Sequence, residues 1–186
     1  MSFTDADLIA RVLTREDHHA FGELVRRYQS PVRGFLARMT RQDLALADDL
    51  AQETILKAWQ KLHTYRGGAR LSTGLFGIAF NEFRMAARRR QELAWTTADP
   101  DDFPEPPEPT VPAHDPHLAM DLSAALQRLT APERAAVVLC CQNGLSHEEA
   151  AQVLACPLGT VKTNILRGRE KLRQQLSPVY ANYESA

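Results

Sequence analysis

A chain of 186 residues with a formal net charge of −1 and 44% hydrophobic content has room for one large domain or two small ones, and its composition is neither disordered nor fibrous. It holds no apolar run near the roughly 20 residues that cross a bilayer, and its opening MSFTDADLIARVLTRED is too charged for a secretion signal, so a cytoplasmic protein with no membrane insertion of its own is expected. Its three cysteines, Cys140, Cys141 and Cys156, are odd in number and lack C-x-x-C spacing, and they read as small buried thiols, not as a zinc site or disulfide frame.

From Thr4 to Met39 the apolar residues recur at helical spacing: Leu8, Ile9 and Val12, then Phe21, Leu24, Val25 and Tyr28, then Val32, Phe35, Leu36 and Met39 in a continuation after Pro31. These are assigned to core. The segment from Asp43 to Leu62, DLALADDLAQETILKAWQKL, is an amphipathic helix with Leu46, Ala47, Leu50, Ala51, Thr54 and Ala58 on the inner side. Asp48, Asp49, Gln52 and Glu53 gather on another side at i, i+3 and i+4 spacing. Acidic groups early in a helix favour its dipole, which is a sufficient structural reason for them. Ile55, Leu56 and Trp59, however, exceed what one inner stripe absorbs, and an acidic patch beside an aromatic also suits a protein-docking face. Both readings stand on the residues alone.

The stretch from His63 to Ser72, HTYRGGARLS, is a loop turned by Gly67 and Gly68 and charged by Arg66 and Arg70. A helix follows from Thr73 to about Gln91, with Phe76, Phe80, Phe83 and Ala87 inward and Asn81, Arg84 and Arg88 sharing a face at i, i+3, i+7. Arg88, Arg89 and Arg90 complement the dipole at its end. A polar Asn in line with arginines beside a basic loop also suits nucleic acid, guanidinium on phosphate and amide on a base edge. Gly74 and Gly77 in this helix each cost about 1 kcal/mol relative to alanine, so the helix is expected to be loosely held.

Charge is unevenly spread. Residues 1–95 hold 15 Lys and Arg against 11 Asp and Glu, residues 96–120 hold none against six, and residues 121–186 hold seven against six. Seven of the 11 prolines also fall within 96–120, so this part reads as a stiff, acidic linker that keeps two helical modules apart.

Beyond it, Leu122, Ala125, Leu126 and Leu129 form one helix, and the capping box of Thr130 and Glu133 opens another that Gly144 closes. A second capping box, Ser146 with Glu149, opens a helix running through Leu154. Pro157 then starts a longer one after a break of about three residues. That punctuation is a helix-turn-helix. In its second helix Val161, Ile165, Leu172 and Leu176 face inward, and Thr160, Thr163 and Arg167 lie on another side. Lys162, Arg169, Lys171 and Arg173 add charge suited to a duplex groove. A solvated helix with a basic face is the bland alternative.

Together the segments DDLAQETILKAW, IAFN followed by Arg84 and Arg88, the proline-rich stretch, LTAPERAAVVL, GLSHEEAAQVL and GTVK with REKLR resemble the extracytoplasmic-function sigma factors, the two-domain group of the sigma-70 family. The resemblance covers nearly the whole chain. It implies an all-α fold in which a region 2 bundle (residues 1–95) is joined by an acidic linker (96–117) to a four-helix region 4 domain (118–186). It further implies a transcription initiation factor, not an enzyme, that needs no cofactor or metal. Asp48, Asp49, Gln52, Glu53 and Trp59 are expected to dock on the largest-subunit coiled coil of core RNA polymerase. Tyr65, Arg66, Arg70, Asn81, Arg84 and Arg88 are expected on the −10 element as separated strands. Thr160, Lys162, Thr163, Arg167, Arg169 and Lys171 are expected in the −35 major groove of promoter DNA. The linker is expected in the RNA-exit path, the second-largest-subunit flap as a further polymerase contact, and an anti-sigma factor as a partner. The sequence departs from the family pattern at Gly74 and Gly77, at Ala155 and Pro157 where Gly and an N-capping Ser are usual, and at Thr163-Asn164 where Ser-Arg is usual.

Two rivals remain: a helix-turn-helix regulator that binds duplex without polymerase, and an interaction module that uses helical faces and no DNA. No Gly-rich phosphate loop or metal-ligand spacing is present; His18 and His19 merely adjoin Asp17.

Overall fold

Thr4 opens the first helix, α1 (Asp5–Arg15), with a reciprocal cap: the Asp7 N–H donates to Thr4 Oγ1 (3.2 Å) and the Thr4 N–H to Asp7 Oδ2 (2.9 Å). Asp17 then caps α2 (His18–Met39), accepting from the Ala20 N–H at 3.0 Å and from Arg11 at 2.6 Å. The computed structural model describes residues 3–65, 67, 70–97 and 118–183. Most of the expected linker, 98–117, lies outside the described residues, as does Arg66.

After α2 come α3 (Leu44–Lys61), a single 3-10 turn (Leu62–Thr64) and α4 (Leu71–Thr97). The C-terminal part holds α5 (Leu118–Gln127), α6 (Ala131–Val137) continued by a π turn (Val138–Gln142), α7 (His147–Leu154) and α8 (Leu158–Tyr183). Among the described residues there are only helices and turns, so the fold is all-α as expected. The helix continues past Pro31, which is exposed, as the apolar spacing after it implies. Two features differ from the sequence reading. In α4, Leu75, Phe76, Ala79 and Glu82 are the buried side chains beyond the first turn among those described, up to residue 91, whereas Phe80 and Phe83 are half-buried and Ala87 is exposed. Of the three thiols, Cys141 is exposed and Cys140 and Cys156 are only half-buried.

The larger difference concerns the two modules, expected to be held apart. One apolar core runs through both, from Val32, Phe35 and Leu36 on α2 and Phe76 and Ala79 on α4 to Leu129, Leu139, Ala150 and Val161. Helix α7 lies along α4, and α5 and α6 touch α2. Polar bonds close the seam: Thr73 Oγ1 donates to Glu149 Oε1 (3.2 Å), Arg70 lies 3.6 Å from the same oxygen, and Gln42 Nε2 donates to Ser123 Oγ (3.0 Å). A helix as short as α7 cannot bury its apolar face alone, and α4 offers the nearest apolar surface. A separate small core, Leu8, Ile9, Val12, Ala20, Leu24 and Leu62, holds α1 on α2.

Glycines in α8 and α4 have opposite roles. A Cβ on Gly168 would stand 2.7 Å from Val137 Cγ2, because α6 and α8 approach closely there, whereas a Cβ on Gly77 meets nothing within 4 Å. The Gly168→Ala variant is therefore expected to lose about 1–3 kcal/mol of stability. Gly77→Ala is expected to gain about 0.5–1 kcal/mol. Urea unfolding of the two variants beside the parent checks both signs.

Candidate docking and nucleic-acid surfaces

Helices α2 and α3 leave an open groove of about 660 Å³ between them, walled by Phe21 and Val25 on one side and Gln52, Ile55, Leu56 and Trp59 on the other. Trp59 is held by an edge-to-face contact with Phe21, with ring centroids 4.6 Å apart, and by His18 at 5.3 Å. Leu56 remains 50% exposed. At the groove's rim Arg33 grips the Asp48 carboxylate through two nitrogens, the longer contact being 3.1 Å, which holds that carboxyl below its ordinary value. Thus Asp48, Gln52 and Trp59 line one concavity, while Asp49 and Glu53 project from α3 into solvent. The sequence reading assigned Phe21 and Val25 wholly to core. They are half-buried, and the width of the apolar stripe on α2 was the signal for it.

A second concavity lies between α3 and α4, with Lys57, Lys61, Asn81, Arg84, Arg88 and Gln91 on its walls. Asn81, Arg84 and Arg88 are all exposed on one side of α4, as their spacing predicts. Lys57 donates to Glu82 Oε2 at 2.6 Å, and Glu82 is only 9% exposed, so the pair ties α3 to α4 directly behind Asn81. The loop residues do not join this face as a group. Tyr65 is half-buried beside the small α1–α2 core, and Arg70 is turned toward Glu149 of α7.

The helix-turn-helix is built as its caps predict. Glu149 donates its N–H to Ser146 Oγ (3.1 Å) and accepts the Ser146 N–H (2.8 Å). The backbone hydrogen bond to Ser146 and, after burial has worked against it, the Thr73 hydroxyl and Arg70 hold the Glu149 carboxyl below its ordinary value. At the turn Ala155 adopts the left-handed conformation, φ 49° and ψ 47°, in the place a glycine would fill without strain. Helix α8 then buries Val161, Ile165 and Leu172, half-buries Leu176, and leaves Thr160, Lys162, Thr163, Arg167 and Arg169 exposed. Lys171 differs from these five: its ammonium donates to both oxygens of Glu133, each at 2.8 Å, and anchors α8 to α6. Glu133 sits nearly buried because it also accepts the Thr130 N–H at the start of α6 (3.1 Å). Behind the same helix Arg134 is 3% exposed, with its Nε unpartnered and its Nη1 donating weakly to the Gln127 carbonyl at 3.4 Å. Burial, reinforced by Arg41, pushes that guanidinium down to about 10.

Comparison with known proteins places these surfaces in a family. Residues 24–92 match the model for Sigma-70 region 2, and residues 119–172 match that for Sigma-70, region 4. The RNA polymerase sigma-H factor of Pseudomonas aeruginosa is 34% identical over 185 residues, covering 94% of this chain and 95% of that protein. The chain belongs to the sigma-70 family, in its extracytoplasmic-function group. Its sigma-factor relatives include the sigma-E factor of this group from Haemophilus influenzae, 32% identical over 188 residues and covering 95% of this chain and 97% of that one. Among solved structures, the sigma factor RpoE in complex with the anti-sigma factor NepR from Bartonella quintana superposes with a TM-score of 0.71 at 28% identity, covering 84% of this chain and 96% of that one. CnrH in complex with the cytosolic domain of CnrY gives 0.66 at 26% identity, covering 94% and 97%. The chain is an RNA polymerase sigma factor. Among the described residues no helix is long and apolar enough to cross a membrane, and no group of three His, Cys, Asp or Glu could hold a metal ion.

The Glu133 anchor gives a pH dependence. Burial raises this carboxyl, but Lys171 and the Thr130 groups outweigh burial and hold it below its ordinary value of 4.5. Its stabilising contribution is therefore complete above about pH 4.5 and disappears as pH falls through the lowered folded value. Glu133→Gln is expected to melt earlier than the parent at neutral pH, and the gap is expected to narrow below pH 4. Circular-dichroism melts between pH 3 and 7 measure it.

Proposed function

We propose that this sigma factor attaches to core RNA polymerase through the α2–α3 groove and the neighbouring Asp49, Gln52 and Glu53. In this reading the largest-subunit coiled coil takes the groove and the second-largest-subunit flap meets the C-terminal half. The exposed row of Asn81, Arg84 and Arg88, with Arg70, Tyr65 and Arg66 from the loop, takes the −10 element as separated strands. The exposed side of α8 with Thr160, Lys162, Thr163, Arg167 and Arg169 reads the −35 duplex. Lys171 serves there as the anchor of the reading helix. The observation that carries this reading is the division of α8 into a fully packed side and an exposed basic side that begins at its N-terminus, the geometry of a helix seated in a major groove.

The chain does this as a binding subunit, with no chemistry of its own, in the cytoplasm where polymerase works. Separating strands costs about 1.4 kcal/mol per stacked step, and one extruded base captured by a protein returns only about 1–3 kcal/mol. A bubble of some ten base pairs is therefore beyond one small factor, and polymerase contacts and supercoiling supply the difference. RpoE and CnrH were each solved with a partner protein, RpoE with an anti-sigma factor. The same class of inhibitor is proposed for this chain.

The closed arrangement must open for this role. The −10 and −35 elements lie on the order of 80 Å apart at a rise of 3.4 Å per base pair, whereas a single folded body of this length has a radius of gyration of about 16 Å. Separation breaks the Thr73–Glu149 and Arg70–Glu149 contacts and frees Arg70 for the strands. The Thr73→Val variant removes one of these bonds. Small-angle scattering of the free factor is expected to show a larger radius for Thr73→Val than for the parent, and an unchanged radius would contradict a restraining role for that bond.

Run-off transcription from the chain's own upstream region with purified core polymerase tests the whole reading. Transcripts are expected only when both components are present. Asp49→Ala combined with Glu53→Ala, both on exposed side chains, is expected to weaken core binding tenfold or more without changing the melting temperature. Arg84→Ala with Arg88→Ala is expected to retain core binding and lose open complex. Nanomolar operator binding by the isolated factor without polymerase would favour a plain duplex regulator. Indifference of transcription to alanine at Arg84, Arg88, Lys162 and Arg167 would favour a module that does not touch DNA.

A further inference from the structure

Leu166 is 72% exposed, more than any other large apolar side chain among the described residues. It stands on the open side of α8, one turn after Lys162 and Thr163 and directly before Arg167, all three exposed. A lone exposed leucine is ordinary on a protein surface. This one is not ordinary in its place, because its neighbours one turn away, Lys162, Thr163, Arg169 and Glu170, are all polar or charged and α8 already seats its other side with Val161, Ile165 and Leu172. Long side chains on a helix lean toward its N-terminus, so Leu166 overhangs the turn that carries Thr163.

The chemistry of that turn narrows what it meets. Thr163 Oγ1 donates to the Gly159 carbonyl at 2.9 Å, so its only hydroxyl proton is spent within the helix. What Thr163 offers outward is a methyl group and an acceptor. Leu166 offers only methyls. Between the cations of Lys162 and Arg167, which suit phosphates, the methyls of Leu166 and Thr163 form a short apolar segment, and the half-buried Asn164 supplies the one amide of that stretch. The edges of base pairs in the major groove carry one apolar group, the C5-methyl of thymine.

Resting on the reading of α8 as the −35 helix, we infer that Leu166, backed by the methyl of Thr163, selects thymine at one position of the upstream element by packing on its C5-methyl. The occupant is duplex DNA and not a protein surface because Lys162 and Arg169, one turn to either side of the leucine, and Arg167 next to it complement phosphate, while the one acid at that spacing, Glu170, is paired with Arg173 at 2.6 Å. Leu166 thus sets specificity where the family's usual arginine is replaced by Asn164, a half-buried residue.

The experiment uses holoenzyme reconstituted from the full chain and core polymerase. Upstream duplexes are selected from a randomised pool, and the selected sequence is then remade with deoxyuridine in place of each thymine in turn, and with 5-methylcytosine in place of the cytosine in a thymine-to-cytosine change. At one position deoxyuridine is expected to weaken binding about fourfold, the value of a single buried methyl. 5-Methylcytosine is expected to recover much of what cytosine loses there. Leu166→Ala is expected to bind thymine and deoxyuridine equally at that position, and its melting temperature is expected to match the parent's because the side chain is exposed. Lys162→Ala serves as the contrast, weakening all duplexes alike and retaining the methyl preference. A thymine preference that survives in Leu166→Ala, or the absence of any methyl-sensitive position, overturns the inference while leaving the −35 reading intact. Failure of holoenzyme to select any upstream duplex overturns both.

Discussion

Helix α4 crosses α2 where Phe76 and Phe35 meet edge to face, with centroids 5.5 Å apart and planes at 77°. Most of the arrangement depends on that contact. It fixes the rotation of α4 about its axis, and the rotation decides which residues are wet. With Phe76 and Ala79 turned to the core, Asn81, Arg84 and Arg88 must face out, and Thr73 must face α7. A single aromatic pair of this kind adds about 0.5–1.5 kcal/mol beyond the area it buries. Its influence exceeds its energy because one helix serves two neighbours, α3 on one side and α7 of the helix-turn-helix on the other. The Lys57–Glu82 pair reinforces the same rotation from behind.

Local punctuation was the most legible part of the sequence. The Thr130–Glu133 and Ser146–Glu149 boxes and Pro157 set helix starts within a residue because each depends on a reciprocal bond only three positions long. The face containing Asn81, Arg84 and Arg88 was equally readable, since helical period alone puts them together. The continuation of α2 past Pro31 was legible too, because the helical spacing of Val32, Phe35, Leu36 and Met39 resumes directly after it. Lys171 was read as one more cation of a basic side. Its partner, Glu133, lies 38 positions away, and no periodicity within α8 reports it.

The seam between the two halves was the least legible. Composition gave an acidic, proline-rich stretch and therefore two separate bodies. Yet Leu75 and Ala79 of α4 and Ala150 and Val153 of α7 are small or medium apolar residues that bury on either partner equally well. Which surface covers them is a matter of tertiary competition and not of pattern. The same ambiguity explains Phe21 and Val25 of the groove: a stripe wide enough to face a core on one edge and an open concavity on the other looks, in sequence, like core throughout.

Gly168 lets α8 ride so close to α6 that no side chain fits between them, and Lys171 clamps the same pair of helices a turn further on. In the proposed seating of α8 on the −35 duplex, a helix mounted that stiffly has no compliance to spend on fitting itself to an imperfect groove. Whatever bending, twisting or widening the union demands falls to the nucleic acid, whose willingness to deform varies from step to step. On that seating, base pairs that no side chain reaches also influence which promoters the factor finds, through the mechanics of the double helix itself.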